Sequence, residues 1–244
     1  MKVFIIAKRV IQQLIHDKRF LGFSMVVPLI IAYFLKLFFD TMPPGFPVEN
    51  YVVPFIAYIV YFLTFLLTAL LVVQERVNDT LNRMLVNGVK RLDIILGYVV
   101  GYLGLAFLQA GLVLVEVLWI FDLSYETNAI LAMVGTLFLQ AVVSVLLGIF
   151  ISIFARKEAQ VIPFIPLLVV LPAFLSGFLT DTALLPRWAE ILGWIFPLKY
   201  GISAMQAAIA PGVDTTELWT QLGYLGIFLV GLTILSAITF KERD

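Results

Sequence analysis

Long apolar runs separated by short polar segments dominate this chain. Each of six runs reaches the ~20 residues that an α-helix needs to cross the hydrocarbon core of a bilayer. The pattern predicts an all-α membrane protein with six transmembrane helices, at residues 22–39, 52–73, 94–120, 128–154, 161–179 and 219–240. The third and fourth runs exceed that length, which indicates tilted helices or helices that extend beyond the membrane.

Two other apolar stretches do not have the pattern of a span. Within residues 1–20, Val3, Ile6, Val10 and Leu14 fall near one helical face, which predicts a basic amphipathic helix lying on the inner leaflet. Between spans five and six, prolines and charged residues interrupt the apolar pattern of residues 180–212. This second stretch predicts one or two short helices in a segment that re-enters the outer leaflet, buried against protein so that its polar backbone is satisfied.

The basic residues are distributed unequally between the two sides of the predicted membrane. Thirteen lysines and arginines lie on the side of the N-terminus and three on the other side. Because cytoplasmic segments are enriched in these residues, both termini are predicted to be cytoplasmic. We therefore expect a multi-pass protein of a bacterial or archaeal cell (inner) membrane, with one permease domain over residues 1–244.

Composition agrees with this class and narrows the possible chemistry. Of the 244 residues, 62% are hydrophobic and 13% are charged, against about 45–50% and 25% in soluble domains. There is no cysteine, and the single histidine, His16, is predicted to lie at the surface. Neither a nucleophile elbow nor a set of metal-ligating residues is present. No catalytic, cofactor-binding or metal-binding residue is predicted, so an intramembrane enzyme is disfavoured.

Residues 75–93 form the most informative polar segment. Asp79 or Thr80 begins a predicted short helix, and Asn87-Gly88 ends it because both residues tolerate positive φ. Its apolar face consists of Leu81, Met84 and Leu85. This face is the kind of compact anchor that a cytosolic partner binds, but a helix resting on the bilayer surface has the same composition.

Four aromatic residues of the second span share one helical stripe. They are Tyr58, Tyr61, Phe62 and Phe65. The stripe is typical of a wall along the path of an amphipathic substrate, and ordinary helix packing would place aromatic residues in the same way.

Three of the polar side chains inside the predicted spans are candidates for a buried role. Gln109 and Glu116 lie in the third span, and Gln140 lies in the fourth, where we expect it to form a hydrogen bond to another helix. Glu116 is near the outer end of its span, so it is either an interfacial acid or a functional one.

The fifth span contains three prolines, Pro163, Pro166 and Pro172. Proline lacks a backbone N–H, so this helix is predicted to be kinked and to have carbonyl groups that need other donors. The kink is compatible with a moving element and with a static bend.

The chain resembles the permease subunit of type-2 ATP-binding-cassette exporters, the class of drug, polysaccharide, lipid and antibiotic export systems. Three features resemble that family. The first is ERVNDTL at 75–81 with LVNGVKRLDIILG at 85–97, which is similar to the family's coupling helix between spans two and three. The second is LSGF at 175–178, LPRW at 185–188 and FPLKY at 196–200, which is similar to its outer re-entrant segment. The third is the amphipathic helix before span one.

This sequence departs from the family pattern at several positions. Asp79 replaces the usual glycine, Val77 replaces a second glutamate, and Gly88 replaces a frequent proline. Asp181 interrupts the usual proline-rich lead into the re-entrant segment. These departures affect the geometry of the coupling helix and leave the topology unchanged.

The resemblance implies a half-transporter that pairs with a second permease copy, as a homodimer or a paralogous heterodimer, among membrane lipids. A cytosolic ABC ATPase would dock on the coupling loop, and the coupling residues would be Glu75, Arg76, Thr80, Leu81, Met84, Leu85 and Arg91. The residues that match the re-entrant segment are Gly177, Pro186, Trp188, Pro197 and Tyr200. This chain has no phosphate-binding Gly-x-x-x-x-Gly-Lys-Ser/Thr motif, so ATP and Mg²⁺ are expected on the partner and this chain is expected to be no enzyme.

The predicted function is ATP-driven export of an amphipathic or lipid-like substrate, such as a drug, an antibiotic or a lipid. The alternative is a secondary transporter driven by an ion gradient. Secondary transporters commonly have internal repeats and ionisable residues near the midplane. We find no repeat between the two halves, and Glu116 is the one candidate residue.

Overall fold

The computed structural model describes residues 2–180 and 182–239. In these ranges it is helical without strands, which confirms the predicted all-α membrane class. The helices are α1 Lys2–His16, α2 Lys18–Phe39, α3 Glu49–Val77, α4 Thr80–Val86, α5 Arg91–Ile120, α6 Thr127–Ser152, α7 Leu171–Leu175, α8 Arg187–Gly193, α9 Pro197–Ile209 and α10 Thr215–Thr239. Asp181, Lys241 and Arg243, which entered the sequence analysis, lie outside the described residues.

Five helices of the described chain are long and apolar enough to cross a membrane: α2, α3, α5, α6 and α10. Each coincides with one of the predicted spans. The helices α3 and α6 lie at the centre of the bundle, whereas α2 and α10 lie at its periphery with most of their surface exposed. Apolar residues of these central helices, together with parts of α1, α5 and α9, form the core.

The predicted fifth span does not form a helix of spanning length. Its helical part is Pro166–Leu175, which begins with a π-helical turn at Pro166–Val170 and continues as α7. Pro163, Pro166 and Pro172 explain this irregularity, because each lacks the N–H that continues a helical ladder. The six-span count therefore stays a prediction.

The chain nevertheless passes from one end of the bundle to the other through this segment. After α6, the backbone carbonyls of Ser152 and Ile153 contact Arg76 at the end of α3. About twenty-five residues later, Gly177 and Phe178 line a cavity with Asn50, at the opposite end of α3. We call the end that carries α1, α4 and the turn after α6 the basic end.

The segment before α10 contains two short helices, α8 and α9, as the proline pattern predicts. Pro186 precedes the first helical residue of α8, and Pro197 occupies the first position of α9, where a missing N–H has no cost. The helix α9 packs against α3, α6 and α10. Its depth in the membrane stays a prediction.

Candidate functional site at the basic end

The site is organised around a buried carboxylate at the end of α3. Glu75 is 3% exposed, and Arg9 of α1 donates from Nη2 to both of its oxygens at 2.6 Å. The hydroxyl of Tyr98 on α5 donates to Oε2 of the same carboxylate at 2.9 Å. Charge-assisted bonds of this kind are short and about twice as strong as neutral ones. One carboxylate therefore joins α1, α3 and α5.

The helix α1 lies directly against α5 because two glycines of α5 leave room for it. A Cβ on Gly97 would lie 2.6 Å from Cβ of Ile6, and a Cβ on Gly101 would lie 2.6 Å from Cβ of Val10. Any larger residue at either position would separate the two helices. The two glycines and the ion pair of Glu75 thus fix α1 in one place.

This packing defines which surface the apolar face of α1 covers. The face that contains Ile6, Val10 and Leu14 packs against α5 and the core, and the position of α1 at the inner leaflet stays a prediction. The sequence shows that the helix is amphipathic but not which surface its apolar face covers. The residues that α1 leaves exposed include four apolar ones, Phe4, Ile5, Ile11 and Ile15, beside the polar Lys2, Lys8, Gln12, Gln13 and His16.

A second attachment joins α1 to the loop that follows α4. The ammonium group of Lys2 donates to the backbone carbonyl of Gly88 at 2.8 Å. Gly88 has a φ of +71°, and the N–H groups of Gly88 and Val89 bond to the carbonyls of Leu85 and Met84. This is the hydrogen-bond pattern of a Schellman C-cap, so the prediction that Asn87-Gly88 ends the helix is confirmed.

Arg76 joins the end of α3 to the end of α6. Its guanidinium donates to the carbonyls of Ser152 and Ile153 at 2.9 and 3.1 Å. The last carbonyls of a helix have no partner within it and carry a partial negative charge, so a cation there is stabilising. Neighbouring residues Glu75 and Arg76 therefore tie α3 to three other helices.

The short helix α4 forms as predicted, but its apolar face is turned inward. Leu81 is 2% exposed and belongs to the core, and the half-buried Met84 and Leu85 pack against that core. Met84 Sδ also lies 3.6 Å from Nη1 of Arg9. The interpretation of these three residues as an exposed anchor is wrong for Leu81, because α3 precedes α4 closely enough to cover it.

Asp79 accounts for one departure from the family pattern. It has a φ of 56°, in the left-handed region that glycine adopts without cost. Aspartate is among the few other residues that tolerate this conformation. The turn into α4 is therefore retained although the glycine is replaced.

The surface of this end lies beside the inward-facing residues. Thr80 and Arg91 are half-buried at the starts of α4 and α5. Arg83, Val86, Lys90 and Leu92 are exposed, and Val86 is the most exposed apolar residue among them at 79%. A shallow groove of about 460 Å³ runs beside them, lined by Leu85, Val89, Lys90, Arg91, Leu92 and Ala237.

The aromatic stripe of α3 divides into two pairs. Tyr61 and Phe65 are fully buried, and the hydroxyl of Tyr61 donates to the carbonyl of Leu168 at 2.9 Å. Tyr58 and Phe62 are half-buried, and the ring of Tyr58 stacks on Phe178 with 5.4 Å between centroids. Helix packing therefore explains Tyr61 and Phe65, and the role of the other two stays a prediction.

The predicted outer residues lie around α8 and α9. Gly177 has a φ of +86° and helps to line a cavity of about 230 Å³ that also contains Asn50 and Gln206. Trp188 is exposed on α8, and the hydroxyl of Tyr200 donates to the carbonyl of Trp194 at 2.8 Å. Their function stays a prediction.

The three predicted polar residues differ in their partners. Gln109 is buried and donates from Nε2 to the carbonyl of Ser24 at 2.8 Å. Gln140 is fully buried, but neither of its amide atoms has a partner in the part of the chain that the structure describes, so the predicted hydrogen bond is wrong. The amide lies against Gly201 instead. In Glu116, Oε2 is buried without a partner among the described residues.

Sequence reasoning missed the roles of Arg9 and Tyr98. The sequence pattern assigned no role to Arg9, which borders Ile6 and Val10 on the side of α1 that packs. The one available signal was the Gly97-x-x-x-Gly101 spacing, which is typical of close helix contacts. Nothing in the sequence indicates that Glu75 is their common partner.

The family model that matches this chain and three of its curated relatives are described as transporters or permeases. The family described as ABC-2 type transporter matches residues 1–210. The linearmycin resistance permease protein LnrN of Bacillus subtilis is 28% identical over 169 residues, covering 69% of this chain and 42% of that protein. The ABC transporter G family member 20 of Dictyostelium discoideum is 28% identical over 73% of this chain and 24% of its own length. The probable multidrug ABC transporter permease YbhR of Escherichia coli is 27% identical over 73% and 49%, so the chain spans at most about half of these relatives.

Proposed function

The chain belongs to the ABC-2 type transporter family, and we propose that it is the membrane subunit of an exporter driven by a separate cytosolic ATPase. The observation that carries the proposal is the attachment of the α4 segment to the spanning helices. Glu75 and Arg76 lead into α4, and they bind α1, α5 and α6. A displacement of α4 by a partner is thereby passed to three other helices.

The docking surface that we propose differs from the apolar face predicted from sequence. It consists of the exposed residues Arg83, Val86, Lys90 and Leu92 together with the groove beside Ala237. Interfaces commonly surround a small apolar centre with charged residues. The buried Leu81 then has a different role, which is to join α4 to the core so that the segment moves as a unit.

The membrane orientation is part of the proposal. Eleven of the fourteen lysines and arginines that the structure describes lie at the basic end, and Lys36, Arg187 and Lys199 lie at the other end. This distribution favours a basic end in the cytoplasm of a bacterial or archaeal cell, where an ATPase has access to α4.

The proposed cargo is an amphipathic drug, antibiotic or lipid. The names of two relatives support this class, since one is a linearmycin resistance permease and another a probable multidrug permease. Within this chain, the half-buried Tyr58 and Phe62 with Phe178 offer an aromatic surface on the route to the outer cavity.

A second permease copy completes the proposed transporter. The support is that few residues of α2 and α10 are buried within this chain, so their apolar surface is available to a second copy. Either a homodimer or a paralogous heterodimer provides the two-fold path, with ATP and Mg²⁺ held by the ATPase subunits.

The test is isolation of the tagged chain from its own membranes in mild detergent. We expect a stoichiometric partner that contains a phosphate-binding loop and hydrolyses ATP. Val86→Asp should remove the partner and the ATPase activity, because it places a charge at the centre of the docking surface. Leu184→Asp is the matched control, because Leu184 is also 79% exposed but lies at the opposite end.

Two results would contradict the proposal. One is a chain that purifies without an ATPase, and the other is export that stops when the ion gradient is dissipated at constant ATP. The second result would favour the secondary transporter, and Glu116→Gln would then be the decisive variant.

A further inference from the structure

Two proline-containing helices of this chain each lack a backbone hydrogen bond at a defined position. In an α-helix the N–H of residue i donates to the carbonyl of residue i−4, and proline has no N–H. Pro28 in α2 therefore leaves the carbonyl of Ser24 without its helical donor. In the π-helical turn at Pro166–Val170 the pairing is to the fifth residue instead, and Pro172 interrupts the backbone ladder where this turn meets α7. The carbonyl of Leu168 lies at this junction.

A side chain from a central helix occupies each of these two positions. Gln109 of α5 donates to the carbonyl of Ser24 at 2.8 Å, and Tyr61 of α3 donates to the carbonyl of Leu168 at 2.9 Å. Gln109 and Tyr61 are themselves buried, so water does not compete for either bond. Gln109 meets the carbonyl four residues before Pro28, and Tyr61 meets a carbonyl at the junction that Pro172 interrupts.

We propose that Tyr61 and Gln109 are positioning residues that replace the two missing backbone bonds and thereby fix the bends of α2 and of Pro166–Leu175. The bends affect the position of the segments that these helices connect. Pro166–Leu175 leads to Gly177 and Phe178 in the outer cavity. α2 follows α1 and so connects the basic end to the periphery of the bundle.

If the side chain replaces a missing backbone bond, its effect on stability should depend on the proline, which is not expected of an ordinary packing contact. The side chain is needed only as long as the proline is present. Replacing the proline by alanine returns an N–H to the helix and supplies the carbonyl from its own chain. The stability that the Tyr61 hydroxyl adds should therefore depend on the presence of Pro172. The stability that the Gln109 amide adds should depend in the same way on Pro28.

The experiment is a pair of double-mutant cycles on the purified full-length chain, followed by thermal unfolding in detergent. Tyr61→Phe removes one hydroxyl and should lower the Tm by about 2–5 °C. In a Pro172→Ala background the same substitution should change the Tm by less than about 1 °C, because the carbonyl then has a backbone donor. Gln109→Met should behave in the same way with and without Pro28→Ala.

Two controls separate this role from general packing. Tyr58→Phe removes a hydroxyl one turn away that makes no hydrogen bond among the described residues, and it should leave the Tm unchanged. The crossed pairs, Tyr61→Phe with Pro28→Ala and Gln109→Met with Pro172→Ala, should be additive, because each joins partners from different bonds.

A second measurement follows the bend itself. The chain has no cysteine, so spin labels can be attached at Phe174→Cys and Val86→Cys without a background. The distance distribution should broaden in Tyr61→Phe and not in Tyr58→Phe. Equal Tm losses for Tyr61→Phe with and without Pro172, or an unchanged distribution, would overturn the inference. Both measurements use this chain alone, so their outcome is independent of the ATPase proposal.

Discussion

The ion pair between Arg9 and Glu75 should respond unequally to the loss of its two members. The carboxylate is 3% exposed, whereas the guanidinium side chain is 37% exposed. Arg9→Met therefore leaves a buried charge with Tyr98 as its remaining donor, but Glu75→Gln leaves a cation that can turn to solvent. Removing one partner of a buried pair costs about 3–5 kcal/mol, and we take about 3 for Arg9→Met because Arg9 is partly hydrated.

Loss of the carboxylate should cost less than loss of the guanidinium group. Glu75→Gln retains an acceptor for Tyr98 and loses a charge-assisted bond, so we expect a cost of about 1 kcal/mol. The double variant should be more stable than Arg9→Met alone, because it no longer buries an unpaired charge. The control is Lys36→Met, which removes an exposed ion pair to Asp40 and should cost less than about 1 kcal/mol.

The assay measures how often α1 leaves α5. A thiol introduced by Ile6→Cys is buried in this contact and reacts with a soluble reagent only when the helix separates. A cost of about 3 kcal/mol corresponds to labelling about 100-fold faster in Arg9→Met, and about 1 kcal/mol to about fivefold faster in Glu75→Gln. Equal rates in the two variants, or an acceleration by Lys36→Met, would refute the reasoning.

Three glycine substitutions test other close contacts. Gly101→Ala should destabilise the protein by about 1–3 kcal/mol through overpacking, and Val10→Gly in the same chain, which removes the Cβ that the new methyl group meets, should recover part of the loss in thermal unfolding. Gly201→Ala places a Cβ directly against Oε1 of Gln140 and should lower the Tm by several degrees, roughly in line with such overpacking, unless Gln140→Ala accompanies it. Gly88→Ala meets no neighbouring atom, so its expected cost of about 1 kcal/mol comes from its φ of +71° alone, and Gly88→Asn should cost less in the same measurement.

The sequence was sufficient for the long helices because their signal is local. An apolar run of about 20 residues has few alternatives in a membrane, and five such runs gave helices at the expected positions. The same rule failed at 161–179, where the composition is apolar but Pro163, Pro166 and Pro172 shorten the helix. A hydropathy pattern reports only how apolar the side chains are. The length of the helix at 161–179 is limited instead by the backbone N–H groups that the prolines lack.

The site was harder to predict because its contacts are distant in the chain. Glu75 was selected from sequence, but its partner Arg9 is 66 residues away. The apolar face of α4 was also identified correctly, and only its direction was wrong. A short amphipathic helix has the same pattern whether it covers its own core or binds a partner, so no local pattern could have decided between the two for Leu81.

The polar contacts of this chain hold its helices together in two different ways. Between lipid-embedded helices there is little hydrophobic driving force, because lipid tails are as apolar as the side chains. Cohesion then depends on close packing and on specific bonds. At the basic end these bonds are charged, through Glu75 and Arg76, and they fasten the α4 segment rigidly. Within the bundle they are neutral, through Tyr61 and Gln109, and are therefore weaker and easier to exchange. We therefore expect a displacement of α4 to be passed first to α3, α5 and α6 through Glu75 and Arg76. A change in the bends at Pro28 and Pro172 should require that the bonds of Gln109 and Tyr61 break.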